Sequence, residues 1–452
     1  MRKSSLFLFL FFPVFGFASQ SKTSSAGEPA FKRAIFPPLR PSRSMFVNVN
    51  LIDGRGGPPI KGASVIVEGE RIKEVMLPGQ QPRRGLREAG DMAYSFDADK
   101  GITLMPGLMD AHVHHGAIYE NNQEIHRRYW FSEQVHMALL RVEQSLMQGF
   151  TTVRDAGGID AGVRNLVDNG LVPGPRLLVA GRALSQTGGH GDRRRPSEGG
   201  SAPEGLWLSI VADGVSEVRR AVRDQFRRGV DQIKVLASGG AMSPADKLEA
   251  SHYSLGELKS MVAEAGNHMS YVMAHAYSGP SILRAVKAGV RSIEHGNLLD
   301  QKAAEAMAEA GTYLVPTMIT YEELVRDGKL DKEQLDKLRR ALEKSVESIH
   351  TALQAGVRIA SGSDLLGRFH VKQAAELALK AAIMGPMQAI VSATRVNAEL
   401  FGLSGQVGSI EPGLLADLIL VRGDPLSDLT ILQDPANLPL IMKGGAIYKN
   451  DL

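Results

Sequence analysis

The chain has no cysteine among its 452 residues. That excludes a disulfide framework, a thiolate metal site and a cysteine nucleophile, so any metal must be held by His, Asp, Glu or a modified side chain. Charge of one sign is also scarce, with a formal net charge of +3. There is no basic block, zinc-finger spacing or alternation of aromatic and basic residues, and nucleic acid is therefore not an expected partner. Arg193-Arg194-Arg195 reads as a short solvated loop. Beyond the N-terminus no apolar run is long enough to span a bilayer.

The N-terminus itself is distinctive. "MRKSSLFLFLFFPVFGFASQ" has a basic start, an apolar core from Leu6 to Phe17 and a small-x-small site at Gly16-Phe17-Ala18. That pattern is a secretory signal over 1–18, with a core shorter than the ~20 residues a spanning helix needs. The expectation is an exported protein, periplasmic or secreted, with a flexible segment at 19–44 and no stable membrane insertion.

After residue 100 a rhythm recurs: a helical stretch ends in glycine and a short apolar strand follows. It is read in "MQGFTTVRDAGG", "RRGVDQIKVLASGG", "KAGVRSIEHG", "EAGTYLVPT" and "QAGVRIASGSD". Glycine just past a helix supplies the left-handed cap, and continuous apolar strands suit a parallel sheet covered on both faces. Helix starts are marked by Ser254 with Glu257, by Asp300 and by Pro280. The strands expected are 102–114, 151–155, 176–182, 232–236, 270–276, 291–295, 312–317 and 358–363. Such a series over about 270 residues predicts an α/β fold, a (β/α)8 TIM barrel, over 105–403. A doubly wound sheet is the alternative, but no G-x-G-x-x-G turn opens its first helix. The flanks, 45–104 and 404–452, alternate apolar and polar residues between turns and predict a small β-sandwich built from both ends. The stretch Gly188 to Gly214, rich in Gly, Pro, Arg and Glu, reads as a lid or mobile loop.

Chemistry gathers at the strand ends. His112 and His114 lie two apart on an extended strand, so both project to one side. His275, His295 and Asp364 end later strands, on the face where such barrels place their active sites. Together they form a set suited to divalent metal. Lys234, in "QIKVLASGG", sits inside an apolar strand, where a charged ammonium is costly. Desolvation favours its neutral amine, which can add carbon dioxide to give an N6-carboxylysine, a carboxylate-like group able to bridge two cations. The plainer reading is a structural lysine paired with a carboxylate such as Asp364.

The ordered set His112, His114, Lys234, His275, His295 and Asp364 resembles the binuclear branch of the amidohydrolase superfamily. The phrases "LMPGLMDAHVH", "GFTTVRDAGG", "SQTGGHGD", "IKVLASGG" and "SIEHGN" are similar to the metal-dependent Xaa-Pro dipeptidase (prolidase-like) group, which includes ochratoxin amide hydrolases. Thr394, Ala398, Gly402 and Leu403, with "GSIEPGLLADL", match superfamily wording too, and the resemblance runs from Phe46 to Tyr448. It implies a metal-dependent hydrolase of amide or peptide bonds with two divalent ions. His112, His114 and Asp364 would hold the buried ion, His275 and His295 the exposed one, and carboxylated Lys234 would bridge them. A bridging hydroxide would attack the carbonyl, with Asp364 as proton shuttle. His190 of "TGGHGD" would stand near the developing oxyanion as a catalytic and substrate-binding residue, and Tyr253 of "SHYS" near the substrate carboxylate. His115, pointing opposite to His114, is expected behind the ligands or facing solvent. Arg154, Arg368 and His370 are further candidates for holding a carboxylate. Zinc is the default metal, although manganese or cobalt accept the same ligands. The implied partner is a small-molecule substrate, a dipeptide or N-acyl amino acid, and the implied assembly a homo-oligomer.

The same residues admit other readings. Lactonase and phosphotriesterase chemistry would use the same ligands. Imidazolone and nucleobase deaminase relatives lack the strand-four lysine and carry a Glu after the strand-five His, where this chain has "HAYSGP". A non-catalytic scaffold would be expected to lose ligands, and here the set is intact.

Overall fold

The computed structural model describes residues 38–80, 90–97, 101–118, 128–192, 194, 208–243 and 246–452. The expected signal segment, most of the flexible stretch after it, and Arg193 and Arg195 lie outside those residues. Strand β1 (Arg43–Leu51) is followed by β2 (Ile60–Glu68), β3 (Arg71–Met76), β4 (Met92–Ser95) and β5 (Ile102–Pro106). The barrel region then contributes β6 (Leu108–Val113), β7 (Phe150–Asp155), β8 (Arg176–Val179), β9 (Ala183–Ser185) and β10 (Ser209–Val211). It continues with β11 (Ile233–Leu236), β12 (Val272–Ser278), β13 (Ser292–Leu298) and β14 (Tyr313–Val315). The C-terminal stretch adds β15 (Leu418–Arg422), β16 (Leu440–Lys443) and β17 (Ala446–Asn450).

Both ends of the chain combine as expected, but hydrogen bonding joins them into a single sheet. Its order is β17-β16-β15-β5-β1-β2-β3, with β4 on β1. The seam is β5, parallel to β1 and antiparallel to β15. Phe46, Leu51, Val65, Leu104, Leu420 and Met442 from both halves share one apolar cluster, which is what makes each half need the other.

The single strand expected over 102–114 is two. Pro106 ends the outer strand, and Gly107 turns the chain into the barrel. A Cβ at Gly107 would lie 2.3 Å from Thr151 Oγ1, so only glycine fits this close approach. The expected third strand, 176–182, is shorter: β8 stops at Val179, Gly181 turns the chain with φ +66°, and β9 starts beyond it. All barrel pairings are parallel, in the orders β6-β7-β8 and β10-β9-β11-β12-β13-β14. Residues 358–363 form no ladder. They run between β14 and β6 on isolated bonds: Leu314 N–H to Arg358 O (3.0 Å) and Ala111 N–H to Ser361 O (2.7 Å). The lid expected over 188–214 is partly strand, since β10 pairs with β9. The whole is a TIM-barrel-type arrangement with an added sheet domain.

Helix punctuation follows the sequence closely. Gly149, Gly229, Gly289, Gly311 and Gly356 all take the left-handed conformation after their helices. Ser254 and Glu257 form the capping box of helix Leu255–Asn267, and Asp300 accepts from Ala303 N–H at the start of Gln301–Ala310. The helices pack on the strands through Val235, Ala274, Ile293, Met261 and Ile282, all buried. This packing holds the strand ends, and the side chains they carry, in fixed positions.

Candidate active site

His112, His114, Lys234, His275, His295 and Asp364 all line one cavity at the C-terminal ends of the strands, together with His190. Nε2 of His112 and Nε2 of His114 face each other at 3.3 Å. Asp364 Oδ1 stands 3.4 Å from the first and 3.2 Å from the second. His112, His295 and Asp364 present ligand atoms within 4.8 Å of one another. The rings of His275 and His295 are 4.5 Å apart. Lys234 Nζ lies 3.4 Å from His112 Nε2.

Hydrogen bonds fix which ring nitrogens are free. His112 Nδ1 donates to Glu294 Oε2 at 2.7 Å and His114 Nδ1 to the carbonyl of Gly157 at 2.8 Å. A carboxylate and a carbonyl only accept, so both rings present Nε2 toward each other, His114 Nε2 also facing Asp364 Oδ1. Ring nitrogens and a carboxylate oxygen converging in this way are a donor set that suits a divalent metal. His275 uses Nε2 on the carbonyl of Gly239 (3.1 Å), which leaves Nδ1 for the cavity.

Electrostatics agree with ligand roles. Burial, then the charge of Lys234, pushes His275 down to about 3 and His112 well below the ordinary imidazole value. Burial and His275 do the same to His295. These rings are neutral, the form that binds metal. His114 differs: burial would lower it, but the hydrogen bond and charge of Asp364 override that and raise it. Asp364 is pulled below the usual carboxylate range, because His112, His114 and Lys234 outweigh its burial. Lys234 is pushed down to about 8, chiefly by burial. Among the described residues it has no carboxylate within ion-pair distance, so the pairing with Asp364 that the plainer reading required is not made.

Two of these residues are held in strained backbone. His295 has φ +75° and Asp364 φ +53°, as does neighbouring Thr317 at +51°. Left-handed conformations cost non-glycine residues about 1–3 kcal/mol and tend to gather at functional sites. Thr317 Oγ1 is 2.8 Å from His295 Nδ1 and fixes that ring.

Other expectations are redistributed. His190 lines the cavity, its ring stacked on His275 at 4.6 Å. Gly240 makes room for it, since a Cβ there would lie 2.2 Å from His190 Nδ1. Tyr253 is not brought to the cavity: its ring packs in the apolar core and its hydroxyl donates to the carbonyl of Ala212. His115 is fully buried rather than solvent-facing, with Nε2 2.9 Å from Ser145 Oγ. Arg368 pairs with Asp327 and His370 bonds the carbonyl of His114, so neither is committed to a substrate carboxylate. Arg154 is buried and donates to Glu294 Oε1 (2.9 Å), the carboxylate whose other oxygen orients His112.

Glu294 and Tyr277 are the residues that sequence reasoning missed. Tyr277 lines the cavity and stacks on His295. Glu294 had the same signal as Lys234, a charge inside an apolar strand ("SIEHGN").

The sequence profile of the amidohydrolase family matches residues 103–448. An ochratoxinase of Aspergillus niger is 32% identical over 419 residues, covering 87% of this chain and 84% of that one. A prolidase solved in complex with N-methylphosphonate-L-proline superposes with a TM-score of 0.83 at 37% identity, covering 90% of this chain and 100% of that one. A Xaa-Pro dipeptidase with methionine bound in its active site gives 0.81 at 30% identity, with coverage of 90% and 100%.

Proposed function

The chain belongs to the amidohydrolase family, among the prolidase-like enzymes and ochratoxinase, and hydrolyses amide or peptide carbon–nitrogen bonds; on that premise we propose an exported enzyme that uses two divalent cations, zinc by default, on dipeptides or N-acyl amino acids. The observation that carries this reading is the convergence of His112 Nε2, His114 Nε2 and Asp364 Oδ1, with Lys234 unpaired by any described carboxylate beside them.

In this reading His112, His114 and Asp364 would hold one ion and His275 and His295 the other, and Lys234, as its carbamate, would supply the anionic ligand between the two groups. Bound divalent cations acidify a water and polarise the scissile carbonyl. The chain's own residues supply the rest. Asp364, kept ionised by the rings around it, takes a proton at its carboxylate and returns it to the leaving nitrogen. His190, half-buried at the cavity wall, donates toward the developing oxyanion. Glu294 orients His112 and is itself held by Arg154 and Ser292. The ring of strands is proposed to close through 358–363, supported by its bonds to β14 and β6. Export is supported by the N-terminal signal pattern, and no helix among the described residues is long and apolar enough to cross a membrane. A homo-oligomer is proposed from the family resemblance.

The test is metal analysis of the purified protein together with a screen of Xaa-Pro, Xaa-Arg, N-acyl-Phe and ochratoxin-type amides. About two ions per chain, and amide turnover abolished by chelation and restored by metal, are expected. One ion or none at full activity would overturn the two-metal reading.

A further inference from the structure

Resting on the amide-hydrolase reading and narrowing its substrate class, we infer that one flank of the scissile amide carries a bulky apolar group. The group would be received by a wall of Met242, Leu324, Leu330 and Leu338 beside the ligand cluster. These side chains line the same cavity as the histidines. Leu324 and Leu338 are buried, while Met242 and Leu330 are only half-buried and keep apolar surface for a ligand. Tyr277, Tyr321 and Ala241 join them in one apolar cluster.

The wall draws on helix Met318–Asp327, the connection after it that carries Leu330, the first turns of helix Lys332–Ala355 and the loop after β11, and side-chain bonds tie the last two together. Gln334 donates its amide to the carbonyl of Met242 (2.9 Å). Lys337 donates to the carbonyls of Ser243 (2.9 Å) and Asp246 (2.6 Å), and also pairs with Glu333. Its ammonium is thereby committed to the loop. A rigid apolar surface of this kind discriminates by what it can bury.

Charge points the same way. Among the described residues lining the cavity, Lys234 is the sole ammonium or guanidinium, and it belongs to the ligand cluster. At the rim of the wall stands Asp331, which caps Gln334 N–H and contributes negative charge. A substrate carboxylate on this flank would lose its water without gaining a cation, and a basic group would face mostly carbon. An aliphatic or aromatic group has only apolar area to bury and gains by doing so. Any free carboxylate of the substrate then belongs on the other flank of the amide.

The experiment uses metal-loaded full-length protein and amide pairs that differ on one side at a time, for example Gly-Pro, Phe-Pro and Asp-Pro, then N-acetyl and N-phenylacetyl amino acids. Wild-type protein should favour the bulky apolar group over the small one by about tenfold or more in kcat/KM at one of the two sides. Leu330→Asp, at a half-buried turn, should collapse that ratio through KM, and Leu330→Asn should lower it less in the same direction. Metal content and melting temperature of each variant separate this from a folding defect. A ratio unchanged within twofold in both variants, or a wild-type preference for charged groups at both sides, overturns the apolar wall while leaving amide hydrolysis standing. No turnover on any amide by protein carrying its metals overturns the parent reading, and the wall with it.

Discussion

Lys234 and Lys380 are both buried amines that desolvation pushes down to about 8, yet they sit in opposite circumstances. Lys380, on helix Ala375–Met384, donates to Ser392 Oγ (2.5 Å) and the carbonyl of Ala360 (3.3 Å); carboxylate charge opposes proton loss at both, from Glu376 at Lys380 and from Glu294 and Asp364 at Lys234. Lys234 carries three donors and, among the described residues, has in reach a single acceptor, the ring nitrogen Nε2 of His112 at 3.4 Å. Burial alone therefore does not mark a functional lysine. What separates the two is the supply of acceptors: one amine is structurally satisfied, and the other is not, a shortfall that the proposed carbamate and its cations would fill.

The largest effect that could break this contrast is expected from Lys234→Ala. It should lose most bound metal and depress turnover by about three orders of magnitude or more, with partial rescue by short carboxylic acids that replace the bridging anion. Retained metal and turnover would make Lys234 as structural as Lys380. Next comes Asp364→Asn, which should keep the fold on thermal melting while lowering kcat by about 10²–10⁴-fold, the usual worth of a positioned proton-transfer group. Glu294→Gln should weaken metal affinity by about 10–100-fold in a chelator competition, because His112 loses its charged partner and Arg154 its neutralising carboxylate. The smallest effect on the site is expected from Lys380→Met. Metal stoichiometry should not change, while denaturant unfolding should show a loss of about 1–3 kcal/mol as Ser392 and Ala360 lose a buried donor.

Much of this was legible in the sequence because it is local. A glycine after a helix needs no tertiary information to be read as a cap, and Gly149, Gly229, Gly289, Gly311 and Gly356 all behave so. The gathering of His112, His114, Lys234, His275, His295 and Asp364 in one cavity was legible because parallel strands bring their C-terminal ends together, so matched positions on separate strands become neighbours. The departures are long-range. Residues 102–113 are mostly apolar whichever sheet they join, and the partners β15 and β7 reveal the change at Gly107. Segment 209–211 becomes strand through β9, which its own composition does not announce. Tyr253 takes φ +60° and turns its ring into the core, a backbone choice that an aromatic in a "SHYS" loop does not advertise. Glu294 is a different case. Like Lys234 it is a charge inside an apolar strand, and the carboxylate that Arg154 holds is this one rather than a substrate's.

Carbon-13 spectroscopy of metal-loaded protein prepared in labelled bicarbonate interrogates the Lys234 nitrogen without disturbing it. A carbamate carbon resonance present in the wild type, absent in Lys234→Ala and lost when the metal is stripped is the expected result. A wild-type spectrum with no such resonance, from protein that carries its metal and turns over amides, would contradict a bridging lysine outright.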